Sequence, residues 1–466
     1  MAMHTSHPVS ALPTAPARET TGHLLLRAWC VLLLVLALGG VGLVHAVGPA
    51  VTAVIVAASA VVSAIVWLVV RPPLAVRRLP WIAAGYLVWA TASLAWSAWP
   101  AASVLTLLLL WVTTFQGLFV GAVLTWRDVV RAIASAAKWV VGLSLLFEIA
   151  VALLVRGPLL PGFAVPTAGT DPIAPWSDGA LFTGGRIQGI YGDADLLAAV
   201  MLVAIVVFGV RLAVGAPRRA LLIAWIAVAG FLFIRAESIT GVIAAGFVAL
   251  VLGTVLVMRT AGRPGERSRW YLLYAAIGLG AAAALWFGRD TIFGVLGRGA
   301  DLTGREGIWA DVLVRADQHP VIGWGFSTPW ITTEPLFDGW IVDQGQIVAQ
   351  AHGMWLDAYL QLGGVGVALL ALVYLAYLWR SWFFAVDRPR WDLRADRPHS
   401  PLTLLPTLVG ALLVVQGLTE SGPLLLWGWM FVILFGAKIK QTPLVGVGPS
   451  EQSISIERGE LRRPAP

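Results

Sequence analysis

The stretch LLLRAWCVLLLVLALGGVGLVHA, residues Leu24–Ala46, carries a single charged side chain, that of Arg27. An apolar run of about 20 residues is long enough to cross the ~30 Å hydrocarbon core of a bilayer as a helix. Comparable runs recur along the chain as far as Ala437. The sequence therefore predicts an all-α, polytopic membrane protein.

The composition of the 466-residue chain agrees with this prediction. Hydrophobic residues make up 58% of the chain and charged residues only 12%, whereas a soluble domain carries about 25% charged residues. The mean hydropathy is +0.82. The single cysteine, Cys30, lies inside the first apolar run, which excludes an intrachain disulfide and a cysteine metal site.

The apolar runs predict about twelve transmembrane helices. Most of these runs have a length that crosses a bilayer, and the shortest runs support the prediction least. The predicted spans are Leu24–Ala46, Ala50–Val70, Trp81–Trp99, Ala102–Trp126, Ile133–Val155, Leu196–Val214, Leu221–Ile234, Ile239–Met258, Trp270–Phe287, Trp355–Trp379, Leu402–Leu418 and Pro423–Ala437.

Basic residues are concentrated in alternate connections between these spans. Because Lys and Arg accumulate in cytoplasmic connections, the net charge of +7 follows from topology and does not indicate nucleic-acid binding. Both termini are then cytoplasmic and the number of spans is even. The predicted organisation is a disordered tail (1–22), a transmembrane domain (23–438) and a second cytoplasmic tail (439–466).

Two connections on the other side, 156–195 and 288–354, are too long and too polar for tight turns. Long loops in compact proteins are usually functional or disordered. The second contains several tryptophans, which argue against disorder. We expect it to form an ordered extracytoplasmic domain on the membrane. These tryptophans are Trp309, Trp324, Trp330 and Trp340.

Arg186 lies in the segment GGRIQG, residues 184–189, just before the segment that contains Asp193 and Asp195. Glycines allow close backbone approach, and a guanidinium binds phosphate in a planar, bidentate manner. The alternative is a loop ion pair with one of the two aspartates. Their Asp-x-Asp spacing also matches some metal sites, but no other acid is close in sequence, so we predict a site without metal.

Arg305 and His352 mark the two ends of the second long loop. Arg305 starts a predicted helix, whose free N–H groups favour an anion, although the arginine alternatively only solvates the helix end. His352 lies at the outer end of a predicted span. With an ordinary pKa near 6.5, a histidine accepts a proton from a hydroxyl at neutral pH. His319, in the same loop, is the competing candidate.

Glu148 is the one acid well inside a predicted span. An ionised acid near the bilayer centre costs about 2.5–3.5 kcal/mol on insertion scales, which disfavours exposure of Glu148 to lipid. We expect Glu148 to pair with Arg235, at the outer end of another span, or to line a cavity that leads to the outer loops.

The segments around these candidates resemble the motifs of the O-antigen ligase and polymerase superfamily. The resemblance extends to the topology of most of the chain, whereas the specific motifs occupy the two long loops and the span that follows the second. The motifs are Arg186-x-x-Gly189-x-Tyr191-Gly192, Gly304-Arg305-x-x-x-Trp309, His319-Pro320-x-x-Gly323-x-Gly325, Ala351-His352 and Leu360-x-x-Gly363-Gly364-Val365-Gly366.

The resemblance implies a glycosyltransferase C-like fold in the bacterial cytoplasmic membrane. It implies transfer of a glycan from undecaprenyl diphosphate to a hydroxyl of a glycan or lipid acceptor, outside the membrane and without metal, nucleotide or other cofactor. Arg186 and Arg305 would hold the donor diphosphate, and His352 would be the general base. Membrane lipid is a further implied partner. Possible supporting residues are Arg235, Glu148, Asp193 and Asp195.

The chain departs from the family pattern at two positions. The family commonly has His-Asn where this chain has His352-Gly353. It often has Ser-Arg at the outer start of a middle span, where this chain has Arg235 three residues before Ser238. Arg235 is the candidate to substitute from this shifted position.

Several functions other than a ligase stay open. A polymerase differs only in its acceptor, which is another lipid-linked glycan. A lipid-linked glycan flippase or exporter would need charged residues throughout the spans, where Glu148 is nearly alone. A catalytically inactive scaffold is the alternative that Gly353 keeps open.

Overall fold

The computed structural model of the chain describes residues 21–162, 175–261, 267–280, 305–331, 333–343, 346–387 and 399–441. Most of both predicted cytoplasmic tails, part of each long outer loop and Gly304 of the second arginine motif lie outside these ranges.

The described residues are mainly helical. Two antiparallel strands of two residues each, β1 (Val342–Asp343) and β2 (Gln346–Ile347), lie in the second long loop. The helices are α1 (Thr21–Val47), α2 (Pro49–Val70), α3 (Trp81–Ala92), α4 (Pro100–Val123), α5 (Trp126–Ala150), α6 (Ala194–Ala213), α7 (Arg219–Arg235), α8 (Ile239–Thr260), α9 (residues 267–280), α10 (Arg305–Ala316), α11 (Met354–Val386), α12 (Leu405–Thr419) and α13 (Leu426–Gln441).

The protein is an all-α, multi-pass membrane protein, as predicted. Eight helical segments in the described ranges are long and apolar enough to cross a membrane. The other predicted spans coincide with the shorter helices α3, α7 and α13 and with α9, which is described as far as residue 280. Of the described helices, only α10 coincides with no predicted span, and it lies in the second long loop.

Glycines join this loop to the helix that follows His352. Gly323 (φ +69°) and Gly363 (φ +63°) both adopt the left-handed region and pack against each other's flanking backbone, where a Cβ would clash. The amide of Trp324 donates to the Leu360 carbonyl at 3.0 Å, and the amide of Gly364 donates to the Pro320 carbonyl at 2.8 Å. This joint fixes the first turns of α11, which kinks at Gly363.

The remaining described part of the second long loop packs into an aromatic cluster against α10. Trp330 stacks on Phe337 with 5.4 Å between ring centroids, and both are buried together with Ile308 and Val312 of α10. His319 lies edge-on to Trp324, with 4.2 Å between ring centroids. The cluster holds α10, and therefore Arg305, next to the start of α11.

Candidate active site

Five charged or titratable side chains from distant parts of the sequence meet at one end of the bundle. Arg186 comes from the loop before α6, Asp195 from the first turn of α6 and Arg305 from the first turn of α10. His352 lies two residues before the start of α11, and Glu420 directly follows α12. The structure therefore brings together the three residues of the predicted donor and base sites.

Asp195 joins the two arginines. Its Oδ1 lies 3.1 Å from Nη2 of Arg186, and its Oδ2 lies 3.4 Å from Nη2 of Arg305. Its Oδ1 also accepts a hydrogen bond from the Ser238 hydroxyl. The alternative of an ion pair at Arg186 is thus present in this structure, yet both guanidinium groups converge on one anion. The Arg186 side chain is 48% exposed and that of Arg305 only 14%.

Glu420 joins Arg305 to His352. The sequence motifs do not identify it as a site residue. Its Oε1 lies 2.7 Å from Nη2 of Arg305, and its Oε2 lies 3.2 Å from Nδ1 of His352. The only signal in the sequence is that Glu420 is an acid in the short outer connection between two predicted spans. Nothing in that signal indicates the pairing with His352.

His352 is held in a defined orientation. Its backbone adopts the left-handed region (φ +48°), which is uncommon for a residue with a Cβ. Nε1 of Trp309 donates to the carbonyls of Ala351 at 3.1 Å and His352 at 3.3 Å. With a proton on Nδ1, directed at Glu420, the Nε2 lone pair is left for a substrate. This is the tautomer that a general base requires.

Burial and the neighbouring carboxylates shift the pKa of His352 in opposite directions. Burial lowers the pKa of the imidazole, but the hydrogen bond and negative charge of Glu420 outweigh it, and the pKa is raised above 6.5. Arg305 opposes this rise and Asp193 adds to it. The protonation state of His352 is therefore coupled to whatever anion Arg305 binds.

Gln350 supplies an amide beside His352, where the chain lacks the asparagine common after this histidine. Its Nε2 donates to Oε2 of Glu420 at 2.8 Å and lies 3.4 Å from Nδ1 of His352. Its Oε1 accepts from the amide of Ser421 at 3.1 Å. Gly353 itself is extended (φ −179°), and a Cβ there would meet only ordinary contacts. Where the family has an asparagine after the histidine, this chain has Gly353, and a side-chain amide beside His352 comes instead from Gln350.

Asp193 caps helix α6. Its Oδ1 accepts hydrogen bonds from the amides of Asp195 at 2.7 Å and Leu196 at 3.0 Å. Burial, followed by the negative charges of Glu420 and Asp195, raises its pKa to about 6. Within the described ranges, no group of three or more His, Cys, Asp or Glu side chains is arranged to hold a metal ion.

Glu148 organises the loop that carries Arg186. Its Oε1 accepts from the amides of Gly189 at 2.6 Å and Gln188 at 3.0 Å, and its Oε2 accepts from the Ser177 hydroxyl at 3.0 Å. Of the two alternatives for Glu148, the pairing with Arg235 is wrong, because Arg235 has other partners. The pairing fails because backbone amides and a hydroxyl, which no charge pattern reveals, already satisfy the carboxylate.

Arg235 holds the same loop from the other side. Its Nη2 donates to the carbonyls of Ala180 at 3.0 Å and Leu181 at 3.4 Å, and its Nη1 lies 3.4 Å from Oε1 of Glu237. Nε of Arg186 donates to the Ala236 carbonyl at 3.2 Å. Arg235 contacts this loop and Glu237 rather than Asp195 or Glu420, so it is not part of the charged cluster.

Comparison with known proteins gives one relative of stated role. No family model matches the chain. Over 200 residues the chain is 28% identical to the exopolysaccharide production protein ExoQ of Rhizobium meliloti. The match covers 41% of this chain and 43% of ExoQ, less than half of either protein. Together with the motifs around Arg186, Arg305 and His352, this similarity supports an O-antigen ligase and polymerase-type superfamily for the chain.

Proposed function

We propose that the protein transfers a glycan from undecaprenyl diphosphate to an acceptor hydroxyl at the outer face of the bacterial cytoplasmic membrane. Its role would be that of a ligase in cell-surface polysaccharide assembly. The similarity to a protein named for exopolysaccharide production supports a role in polysaccharide assembly. The observation that carries the proposal is the contact of Glu420 with both Arg305 and His352, at 2.7 Å and 3.2 Å.

The two arginines would bind the donor diphosphate. Both are within hydrogen-bond reach of Asp195, and Arg305 is also paired with Glu420. A diphosphate carries more negative charge than one carboxylate and offers bidentate acceptors that fit guanidinium groups. It would therefore compete with Asp195 and Glu420 for these arginines, and the carboxylates would keep the site charge-balanced when donor is absent.

His352 would act on the acceptor. Nε2 takes the proton of the acceptor hydroxyl while the oxygen forms a bond to the anomeric carbon of the glycan. The bond between that carbon and the diphosphate oxygen breaks, and undecaprenyl diphosphate leaves with the electron pair. Glu420 stabilises the imidazolium that forms, and Arg186 and Arg305 stabilise the charge on the leaving group. Arg305 and Glu420 would place donor and base side by side.

The distribution of basic residues supports an outward-facing site. The helices α6 and α8 begin near Asp195 and Ser238 and carry Arg211 and Arg259 in their last turns. Helix α13 ends with Lys438 and Lys440. The cluster of Arg186, Arg305 and His352 therefore lies at the end opposite these basic helix ends, which the positive-inside rule assigns to the cytoplasm.

Reconstitution tests the proposal. Purified protein in liposomes is given an undecaprenyl-diphosphate-linked glycan and a soluble acceptor, and the products are identified by mass spectrometry. We expect a glycan–acceptor adduct and released undecaprenyl diphosphate, and neither with His352→Ala. Movement of the intact donor across the bilayer without any new glycosidic bond would instead support a flippase and contradict the proposal.

A polymerase of lipid-linked repeat units is the second candidate. ExoQ is named for the production of an exopolysaccharide, and an exopolysaccharide is a polymer. The same assay separates the two candidates. With donor alone, a polymerase produces lipid-linked glycans of increasing length, whereas a ligase produces nothing until the separate acceptor is added.

A further inference from the structure

A cavity of about 240 Å³ lies between α3, α11 and α13, far from His352. It is at the end of the bundle where α11 and α13 carry basic residues, whereas the candidate active site is at the end where they begin. Most of its wall is apolar. Representative lining residues are Trp81, Ile82, Val373, Ala376, Val432 and Gly436.

Two cations line the same cavity, Arg380 from α11 and Lys440 from the last turn of α13. Nζ of Lys440 donates a hydrogen bond to the Leu79 carbonyl. Among the residues that the structure describes, neither cation forms an ion pair with a carboxylate. Two positive charges at one end of an apolar cavity favour an anionic group attached to an apolar one.

One wall of the cavity is open on the side of the bundle that faces the lipid. Trp81 is 55% exposed and Ile82 is 38% exposed at the start of α3, directly after the exposed Arg77 and Arg78. In a membrane protein, exposed tryptophan beside arginine is typical of the level of the lipid head groups. The cavity thus opens sideways, toward lipid at that level.

We propose that this cavity binds one anionic glycerophospholipid, with its phosphate between Arg380 and Lys440 and an acyl chain along α3. Basic pockets between transmembrane helices on the cytoplasmic side bind lipid phosphates in this way. A free phosphate would contact the cations but leave the apolar wall exposed, so a lipid fits the lining better. The proposal does not depend on the reaction at His352.

Native mass spectrometry of the protein in detergent, supplied with phosphatidylglycerol or phosphatidylcholine, tests this site. Arg380→Gln with Lys440→Gln removes both charges. Gly436→Leu places a side chain in the cavity and keeps both charges. The helix accommodates it, because a Cβ at this position meets no atom within 4 Å. The matched control is Arg77→Gln with Arg78→Gln, which removes two exposed charges from the same surface.

We expect the wild type and the control to retain one phosphatidylglycerol in preference to phosphatidylcholine. The charge variant should lose about 30-fold in affinity for phosphatidylglycerol, the effect of two basic side chains near an anionic surface. Gly436→Leu should lose both lipids. Equal retention of the two lipids by the wild type would overturn the proposal, as would wild-type selectivity in either folded variant. Displacement of the lipid by inorganic phosphate at equal concentration would also overturn it, because phosphate lacks an acyl chain.

Discussion

Oε2 of Glu420 lies 3.2 Å from Nδ1 of His352, a residue 68 positions earlier in the chain. The other oxygen of the same carboxylate lies 2.7 Å from Nη2 of Arg305. One buried side chain therefore connects the proposed base to the proposed donor site. Binding of a diphosphate to Arg305 would free Glu420 from that arginine while leaving its contact with His352, which makes the base sensitive to donor occupancy.

Glu420→Gln should slow transfer by at least about tenfold and at most the roughly 10⁴-fold seen when a catalytic histidine loses its carboxylate partner. The amide keeps the shape of the side chain but cannot stabilise an imidazolium. The single-turnover rate at saturating donor measures the effect. Glu306→Gln, which changes an exposed acid in the first turn of α10, is the control and should stay near the wild-type rate. An unchanged rate for Glu420→Gln would remove this residue from the mechanism.

The transfer rate should rise with pH through the pKa of His352, because only the neutral imidazole accepts a proton. Glu420 raises this pKa above 6.5, so the midpoint in the free enzyme lies above that value and moves to lower pH in Glu420→Gln. The pair also contributes to stability fully below pH 6.5, and this contribution is lost as pH rises through the raised pKa. The pH profile of kcat/KM and the Tm between pH 6 and pH 9 measure the two effects. A midpoint that does not move would contradict the coupling.

Arg305→Gln should weaken binding of an undecaprenyl-diphosphate glycan by about 10- to 100-fold, the range for a hydrogen bond to a charged group. Arg186→Gln should have a smaller effect, because the Arg186 side chain is 48% exposed and that of Arg305 is 14% exposed. Binding of labelled donor to protein in nanodiscs measures both. Arg156→Gln removes an exposed cation at the same end of the bundle as a control. Equal binding by Arg305→Gln and this control would place the diphosphate elsewhere.

Glu148→Ala should lower stability by about 2–4 kcal/mol, since it leaves the buried amide of Gly189 without an acceptor and creates a cavity. The loop before α6 then loosens, so we also expect weaker donor binding with an unchanged pH profile. Thermal unfolding in detergent measures stability, with the exposed Asp338→Ala as the control. Equal Tm values for the two variants would show that Glu148 does not hold the loop.

Replacing Asp193 by Asn should stabilise the protein above pH 6. The raised pKa of about 6 means that the folded state binds a proton more tightly than the unfolded chain, so the wild type loses stability as pH rises from 3.8 to about 6. Asparagine keeps the helix cap without the charge. We expect a gain of about 1 kcal/mol at pH 8. A lower Tm for Asp193→Asn at pH 8 would contradict this assignment.

The sequence predicts the spans and identifies Arg186, Arg305 and His352 as candidates, for different reasons. The hydrophobic thickness of a bilayer imposes a length on every apolar run, so helix positions follow from where these runs lie along the sequence. The three site residues stand in polar motifs beside predicted span ends. Their proximity follows from packing of α6, α10, α11 and α12, which no short motif encodes.

Glu420 and the partners of Glu148 could not be predicted in the same way. The contact of Glu420 with His352 depends on how α12 lies against the start of α11. Glu148 is satisfied by the amides of Gln188 and Gly189, and every residue but proline has such a group. Charge alone therefore makes Arg235 a candidate partner for Glu148, whereas in the structure Arg235 donates to a loop carbonyl.

The single-turnover rate of glycan transfer by His352→Asn tests the central claim most directly. Asparagine tolerates the left-handed backbone of this position (φ +48°) and cannot act as a base. With donor and acceptor saturating, we expect a rate at least about 100-fold below that of the wild type, the lower range for general-base catalysis, with donor affinity nearly unchanged. A rate within about tenfold of the wild type would contradict the assignment of His352 as the base.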